Sequence, residues 1–305
     1  MFSFLLKRLL HAAGVLWVVV TLTFVLMHVT PGGPFDRERR LPPEVLANIA
    51  AKYHLDEPWP SQYVRYLKGM VQGDFGPSYK YLDRTVGDIV LETFPTSALL
   101  GLFALAFALL LSLAAGICAA SFHNSWPDRS CMLFATVGIS LPNFILGGLL
   151  IWLFSVRLGW LRAGGWGEMT GAVLPTITLG AAPAAYLSYL IRSTLLETLE
   201  EDFIRTARAK GVKETVVLLK HALGNSLIPV LTVLGPLLAA LVTGSFVVEY
   251  VFAIPGMGRF FITAVTDRDY PLIMGVTLVY TAILVCANLL VDLLYSVFDP
   301  RIKVQ

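Results

Sequence analysis

The stretch SALLGLFALAFALLLSLAAGICAA, residues 97–120, contains no charged side chain over 24 consecutive positions. A helix needs about 20 apolar residues to cross a hydrocarbon core about 30 Å thick, so this stretch is long enough to span a membrane. Five further apolar runs lie at residues 9–29, 131–155, 173–192, 228–249 and 272–297. The sequence therefore predicts an all-α integral membrane protein with six transmembrane helices.

The composition of the whole chain supports a membrane protein. Hydrophobic residues make up 56% of the 305 positions and charged residues 14%, whereas soluble domains carry about 25% charged residues. The net charge of +2 does not bear on a nucleic-acid partner, but basic patches interleaved with aromatic residues, which such a partner would favour, are absent. The three cysteines, Cys118, Cys131 and Cys286, form no CxxC pair and predict no disulfide framework.

The distribution of Lys and Arg over the short loops predicts the orientation of the helices, because cytoplasmic loops carry the excess of basic residues. We expect both termini and the loop 193–226 in the cytoplasm, with a long outward-facing segment after the first helix. The predicted organisation is an N-terminal transmembrane helix (1–30), an extracytoplasmic segment (31–95) and a five-helix core (96–305). The side with eleven basic residues holds Lys7, Arg8, Arg129, Arg192, Arg205, Arg208, Lys210, Lys213, Lys220, Arg301 and Lys303, and the side with four holds Arg157, Arg162, Arg259 and Arg268.

Sequence motifs for catalysis are missing. A Walker A loop needs Gly-Lys followed by Ser or Thr to hold phosphates, and no Gly-Lys dipeptide occurs in the chain. The five histidines form no HExxH motif, and there is no GxSxG. Within the predicted spans the ionisable groups are Glu249 and Asp292, fewer than a proton-coupled carrier would need. We therefore expect no catalytic site and no metal site.

The basic stretch RTARAKG, residues 205–211, lies in the loop between the fourth and fifth predicted spans. We expect two short helices here, the first ended by Gly211, because glycine adopts the left-handed conformation that closes many helices. Glu201 and Arg205 stand four residues apart with the acid first, an order that favours a helical ion pair. Composition alone leaves two interpretations open. The cluster either obeys the positive-inside rule or forms a surface that a partner approaches closely.

RTARAKG and the following HALGNSLIP (221–229) resemble the EAA loop of permease subunits from binding-protein-dependent ABC importers. Arg205-Thr206-Ala207 stands where that family has Glu-Ala-Ala, so the glutamate is missing, as in the variant of the peptide/nickel branch. Four other stretches agree with this resemblance. They are TPGGPF (30–35) with LPPEVLANIAAKYHLDEP (41–58), GDFGPSYKYLDRTVGDIVLETFPTSALL (73–100), EYVFAIPGMGRFFITAVTDRDYPLIMG (249–275) and NLLVDLLYSVFDPRI (288–302). The chain looks most similar to the B-type subunit of oligopeptide permeases.

This resemblance implies one transmembrane subunit of an ATP-driven importer for oligopeptides in the bacterial cytoplasmic (inner) membrane. The implied partners are a second homologous permease, two cytoplasmic ATPase subunits, an extracytoplasmic solute-binding protein, the peptide and membrane lipid. ATP and Mg would bind to the ATPase subunits, and this chain would bind no cofactor. The alternatives are dipeptides, nickel chelates or other peptide-like solutes, or an autonomous channel or proton-coupled carrier. The residues implied in ATPase coupling are Arg205, Thr206, Ala207, Arg208, Ala209, Lys210, Gly211, His221, Asn225 and Pro229.

Polar residues inside the predicted spans are candidates for the translocation pathway, because a peptide needs hydrogen-bonding groups along its route. Interhelical hydrogen bonds, worth about 0.6 kcal/mol each, are the alternative. In the outward segment, apolar residues at helical spacing predict an amphipathic helix, which either docks a partner, covers the pore or lies on the membrane surface. The pathway candidates are Ser140, Asn143, Thr178, Ser188 and Asn288, and the amphipathic positions are Tyr63, Tyr66, Leu67 and Met70.

Overall fold

The computed structural model describes residues 2–31, 51, 53–81 and 83–298, with side chains described from residue 6 to residue 289 within these ranges. Much of the predicted outward segment, residues 32–50, therefore lies outside the described part, as do the C-terminal residues 299–305 and the side chain of Asp292. The described chain is helical, with one isolated antiparallel bridge between Pro77 and Thr85. The all-α prediction is confirmed for these residues.

Thirteen α-helical segments follow one another along the described chain, and π-helical turns extend two of them. The α-helices are α1 (Phe2–Val29), α2 (Trp59–Val71), α3 (Val86–Ser121), α4 (Trp126–Ser140), α5 (Asn143–Leu150), α6 (Met169–Leu199), α7 (Asp202–Ala209), α8 (Glu214–Val216), α9 (Leu223–Ser226), α10 (Ile228–Val242), α11 (Phe246–Val251), α12 (Met257–Asp267) and α13 (Tyr270–Phe298). The π-helical turns are Ile151–Arg157 after α5 and Val217–Ala222 after α8.

Five helical stretches of the described chain are long and apolar enough to cross a membrane, and a sixth is bent. The five are Leu6–Val29, Val86–Ser121, Met169–Leu199, Ile228–Val251 and Tyr270–Leu289. The sixth consists of α4 together with Asn143–Arg157, which meet at 110°. The apolar content of all six predicted runs is thus found in helices, and the run 131–155 is divided between the two arms of the bend.

The bend between α4 and α5 follows from Leu141-Pro142. Proline lacks the N–H that a helix interior uses, and it disfavours helical geometry at the residue before it. Leu141 is accordingly extended, with ψ of 124°, and Pro142 precedes the first residue of α5. Hydropathy alone did not report this break, because both sides of it are apolar.

The run 228–249 is interrupted for a similar local reason. α10 ends at Val242, Gly244 adopts a left-handed φ of 84°, and the Ser245 side chain caps α11 by accepting the N–H of Val248. A glycine meets this backbone requirement without strain, since it has no Cβ. The predicted fifth span is therefore two helices, with Glu249 on the second.

α3 and α6 form the centre of the bundle, and small residues let them approach closely. A Cβ added to Gly116 of α3 would lie 2.7 Å from the Ile191 side chain of α6. Close approach at small residues is how membrane helices gain packing energy. α6 is longer than the predicted run 173–192 and continues through Leu199, so it carries the chain directly to the loop that contains RTARAKG.

The amphipathic helix predicted in the outward segment is α2. The four residues predicted for its apolar face, Tyr63, Tyr66, Leu67 and Met70, pack onto buried residues of α1 and α13, which are Val20, Phe24, Met274 and Leu278. The Tyr63 hydroxyl also hydrogen-bonds to the Thr21 hydroxyl of α1, with 2.6 Å between the oxygens. The apolar face of α2 is thus occupied by the bundle. α3 begins at Val86, so it includes the last ten residues that we assigned to the outward segment.

Candidate functional site

The loop after α6 folds into a compact helical unit. α6 ends at Leu199, a two-residue turn follows, and α7 begins with Asp202 in its first turn, where an acidic side chain complements the helix dipole. The prediction of two helical pieces in the loop 193–226 is confirmed. The first is α7, and the second runs from α8 through the π-helical turn to α9.

Gly211 ends α7 as the sequence predicted. The Gly211 N–H donates to the Arg208 carbonyl at 3.0 Å, and the Val212 N–H donates to the Ala207 carbonyl at 3.2 Å. This pair of hydrogen bonds is a Schellman motif, which requires a left-handed residue after the helix. Gly211 supplies that residue with a φ of 76°. The turn fixes the direction in which the chain leaves α7 toward α8.

The inner face of α7 is anchored by a set of buried side chains that we call the loop cluster. Its members from α7, Ile204 and Ala207, are buried against residues of the neighbouring elements. α3 contributes Ala120 and α6 contributes Leu195, each near the end of its helix. The loop is therefore packed onto both central helices. The loop cluster consists of Ala120, Leu195, Ile204, Ala207, Val217 and Ala222.

The outer face of α7 is exposed and carries the basic residues. Arg205 is paired with Asp202, Nη1 to Oδ1 at 3.4 Å, so the predicted pairing with Glu201 was wrong. Glu201 occupies the N-cap position instead, outside the first helical turn. Phe203 of α7 also has 44% of its surface exposed, an unusual position for a large aromatic side chain on a polar loop. Thr206, Ala209, Lys210 and Gly211 are exposed too.

Arg208 connects the two halves of the loop through Glu214. Its Nη2 donates to Oε1 at 2.6 Å and its Nε donates to Oε2 at 3.1 Å. This two-point geometry is the strong form of an arginine–carboxylate pair. The Arg208 guanidinium lowers the pKa of Glu214, and the Glu214 carboxylate raises the pKa of Arg208. The positive charge of Arg208 is therefore paired with Glu214 inside the loop, whereas the side chain of Lys210 is exposed to solvent.

The other predicted coupling residues lie in the second half of the loop and in the first turn of α10. Asn225 is exposed and its side-chain amide donates to the His221 carbonyl at 3.3 Å. Pro229 lies in the first turn of α10, as its fixed φ favours. Thr194 of α6 donates its hydroxyl to the Ser226 carbonyl at 2.9 Å, which ties the end of the loop to the long helix.

The five pathway candidates do not share one environment. The buried hydroxyls of Thr178 and Ser188 donate within α6, to the carbonyls of Leu174 and Ala184 at 2.8 Å and 2.7 Å. Ser140 and Asn143 flank the bend between α4 and α5, exposed and half-buried respectively, and Asn288 is exposed on α13. Thr178 and Ser188 are thus satisfied by their own helix, and the remaining three keep polar groups available.

Sequence reasoning missed an ion pair beside the loop. Arg192 of α6 donates to both carboxylate oxygens of Asp128 of α4, at 2.7 Å from Nε and 2.8 Å from Nη2. We counted Arg192 only for orientation. The signal that could have found the pair is Asp128 itself, the one acidic residue in a largely apolar helix.

Comparison with known proteins identifies the family. Residues 112–304 match the family described as "Binding-protein-dependent transport system inner membrane component", and residues 1–101 match "Binding-prot-dependent transport system membrane comp, N-term". The chain is 44% identical over 305 residues to the oligopeptide transport system permease protein OppB of Haemophilus influenzae, covering 99% of this chain and all of that one. It is 46% identical over 305 residues to the dipeptide transport system permease protein DppB of Bacillus subtilis, covering 100% and 99%.

A solved structure supports the fold. An inward-facing conformation of the MetNI methionine ABC transporter matches with a TM-score of 0.58 over 69% of this chain and 96% of that one. The sequence identity is 20%, so the likeness concerns the arrangement of helices alone.

Proposed function

The chain belongs to the family of binding-protein-dependent transport system inner membrane components, and on this basis we propose that it translocates oligopeptides as one subunit of an ATP-driven importer. Members of this family are membrane permease subunits of ABC transporters, in which separate ATPase subunits hydrolyse ATP. The chain is a multi-pass protein of the bacterial inner membrane. The prediction of the family from the RTARAKG loop is confirmed.

The proposal of a peptide substrate is supported by the sequence identity, over the full length of the chain, to permeases that are named for peptide transport. Relatives at 44% and 46% identity are named for oligopeptide and dipeptide transport, and one at 41% is named for glutathione transport. All three solutes contain peptide or peptide-like bonds. The common chemistry supports a peptide, and we propose an oligopeptide because of the additional OppB relatives at 42% identity.

The exposed face of α7 is where we propose that an ATPase subunit docks. The exposed surface of α7 carries an aromatic ring, Phe203, the cation of Arg205 and, at the end of the helix, the cation of Lys210. Interfaces of this composition draw energy from the aromatic anchor and orientation from the charges. Because Ile204 and Ala207 anchor α7 on α3 and α6, a displacement of the docked ATPase would move the central helices of the bundle.

The proposed assembly contains a second homologous permease, two ATPase subunits and an extracytoplasmic binding protein that delivers the peptide. In this assembly both termini and the loop 193–226 face the cytoplasm. ATP and Mg would be bound by the ATPase subunits. The second permease would complete a pathway that one subunit of this size lines on one side only.

The test begins with the complex isolated from its own membrane. We would tag the chain, extract it in mild detergent and identify co-purifying proteins by mass spectrometry, expecting a second permease and ATPases with Walker motifs. The complex would then be placed in liposomes with ATP inside and labelled oligopeptide with its binding protein outside. Uptake should require ATP and survive collapse of the proton gradient. Uptake by the chain alone, driven by the proton gradient without ATP, would establish a carrier and overturn the proposal.

A further inference from the structure

Glu249 of α11 is a fully buried carboxyl group that holds the start of another helix. Its Oε2 accepts the N–H of Gly258 at 2.7 Å and the N–H of Arg259 at 3.3 Å, both in the first turn of α12. The first N–H groups of a helix have no partner within the helix, and a carboxyl group there also complements the helix dipole. Glu249 thus caps α12 from outside that helix.

Ser97 of α3 completes this cap. Its Oγ accepts the N–H of Met257 at 2.8 Å. Ser97 is fully buried as well. Three successive N–H groups at the start of α12 are therefore held by side chains of two other helices, α3 and α11. We call this arrangement the Ser97–Glu249 clamp.

The glycines of the PGMG turn (255–258) let the clamp close. A Cβ at Gly256 would lie 2.6 Å from the Ser97 Oγ, and a Cβ at Gly258 would lie 2.9 Å from the Phe246 Cα. Any side chain at either position would displace the carboxyl group or the backbone. The turn is therefore shaped for this close contact between α12, α11 and α3.

The clamp also includes a group that lowers folding stability. The Oε1 atom of Glu249 is buried without a hydrogen-bond partner, and an unpaired buried polar atom costs about 1–3 kcal/mol. Glu249 therefore combines hydrogen bonds to α12 with the energetic cost of an unpaired oxygen. We expect this combination of a residue that positions a helix, because an apolar side chain would fill the core without that cost.

α3 connects the clamp to the candidate coupling surface. The helix has 36 residues, and at 1.5 Å per residue the distance along it from Ser97 to Ala120 is about 35 Å. Ala120 belongs to the loop cluster, where it packs with Ile204 and Ala207 of α7. The distance exceeds the hydrocarbon thickness of about 30 Å, so one helix contacts α7 on one side of the membrane and α12 on the other.

We propose that the Ser97–Glu249 clamp makes α11 and α12 move together with α3, and so carries the displacement of α7 to the opposite side of the membrane. Ser97 and Glu249 are positioning residues for transport in this proposal, which rests on the proposed ATP-driven import. The α12 helix would follow α3 because three of its backbone N–H groups are held. A helix tied to the bundle by side-chain packing alone could lag behind.

The test uses Ser97→Ala, Glu249→Leu, which has no acceptor for the α12 N–H groups, and their double variant in the complete importer, reconstituted with its partner subunits and binding protein. Each single variant should lower the amount of peptide moved per ATP hydrolysed by about tenfold, within the range found for residues that couple distant sites, while ATP hydrolysis persists. The double variant should be no worse than either single one, because both residues serve the same contact. Amide hydrogen exchange over residues 256–262 should be faster in all three variants.

Ser112→Ala is the matched control. Ser112 lies on the same helix and is also fully buried, but its hydroxyl donates to the Leu109 carbonyl of α3 itself, at 3.2 Å. This variant should transport like the wild type. A normal ratio of peptide to ATP in Ser97→Ala and Glu249→Leu would overturn the clamp. An equal fall in uptake, hydrolysis and yield of assembled complex would also overturn it, since that pattern indicates damage to folding. A wild-type complex that shows no ATP-driven uptake would refute the proposed function itself, and the clamp's role with it.

Discussion

Asp128 and Arg192 join α4 to α6 by a two-point ion pair whose carboxyl side chain is 4% exposed and whose guanidinium side chain is 24% exposed. The Asn124 N–H also donates to Asp128, at 2.9 Å. These contacts close the turn between α3 and α4 onto the long helix α6, next to the loop cluster. The ion pair therefore holds α4 against α6, close to where α7 packs onto α3 and α6.

Removing the cation should destabilise the protein strongly. Arg192→Ala leaves the buried Asp128 carboxyl group without its guanidinium partner and with only the His123 ring, 3.6 Å away, beside it. Breaking a buried pair in this way costs about 3–5 kcal/mol. Thermal unfolding of the purified complex in detergent should show a clear fall in melting temperature. Asp128→Asn with Arg192→Met, which removes both charges, should recover part of the loss.

An exposed ion pair supplies the control. Arg162 and Glu168 are 3.0 Å apart and both are more than half exposed, so Arg162→Ala should change stability by no more than about 1 kcal/mol. If the Arg192 and Arg162 variants had the same melting temperature, the buried ion pair would contribute no more stability than the exposed one.

A charge placed at Ala207 should disrupt the packing of α7 onto α3 and α6. Ala207 is buried in the loop cluster, and an aspartate there would bury a charge without a partner, which is strongly unfavourable. We expect Ala207→Asp to lower the thermal stability of the complex and to abolish transport. Ala209→Asp places the same charge two residues away on the exposed face and should leave the melting temperature unchanged. Equal melting of the two variants would contradict the packing of this face.

The six apolar runs and the family could be predicted from the sequence because each depends on local information. Hydropathy identifies a membrane helix by length and composition alone, and RTARAKG is one contiguous stretch. The helix end at Gly211 was predictable for the same reason, since glycine's backbone freedom acts within one turn.

The breaks and the distant contacts required the structure. The proline in the run 131–155 allows a kink, but neither the 110° bend at Leu141-Pro142 nor the interruption at Gly244 follows from hydropathy, which does not report backbone geometry. Asp128 and Arg192 are 64 residues apart, and the sequence around either residue does not indicate which residue it pairs with. Glu249 was visible as an ionisable residue in a span, but its role became apparent only with Ser97 beside it.

The ion pair between Arg208 and Glu214 should contribute little stability, and its contribution should depend on pH. Arg208 lowers the pKa of Glu214 in the folded state. A carboxyl group with a lowered pKa stabilises the fold above its unfolded value of about 4.3, and the stabilisation is lost as the pH falls through the folded value. Because the Glu214 side chain is 65% exposed, Glu214→Gln should cost no more than about 1 kcal/mol at pH 7.

The measurement compares the melting of the wild type and Glu214→Gln across pH. The small difference between them should be constant at neutral pH and should shrink below about pH 4.3, where the wild-type carboxyl group takes up its proton. A difference that grew on acidification would have the wrong sign for this pair.

The last prediction contrasts two adjacent residues of α7. Phe203 is exposed on the proposed docking face, whereas Ile204 is fully buried in the loop cluster. Phe203→Ala should leave thermal stability unchanged and weaken binding of the ATPase subunit by about tenfold or more, as loss of an aromatic anchor does at other interfaces. Ile204→Ala should instead lower stability by about 2–5 kcal/mol, because it leaves a cavity. Titration of the purified permease with the ATPase measures the first effect and thermal unfolding the second. Unchanged ATPase affinity in Phe203→Ala would place the docking contact elsewhere on the loop, because the aromatic ring is the main apolar group that the outer face of α7 offers.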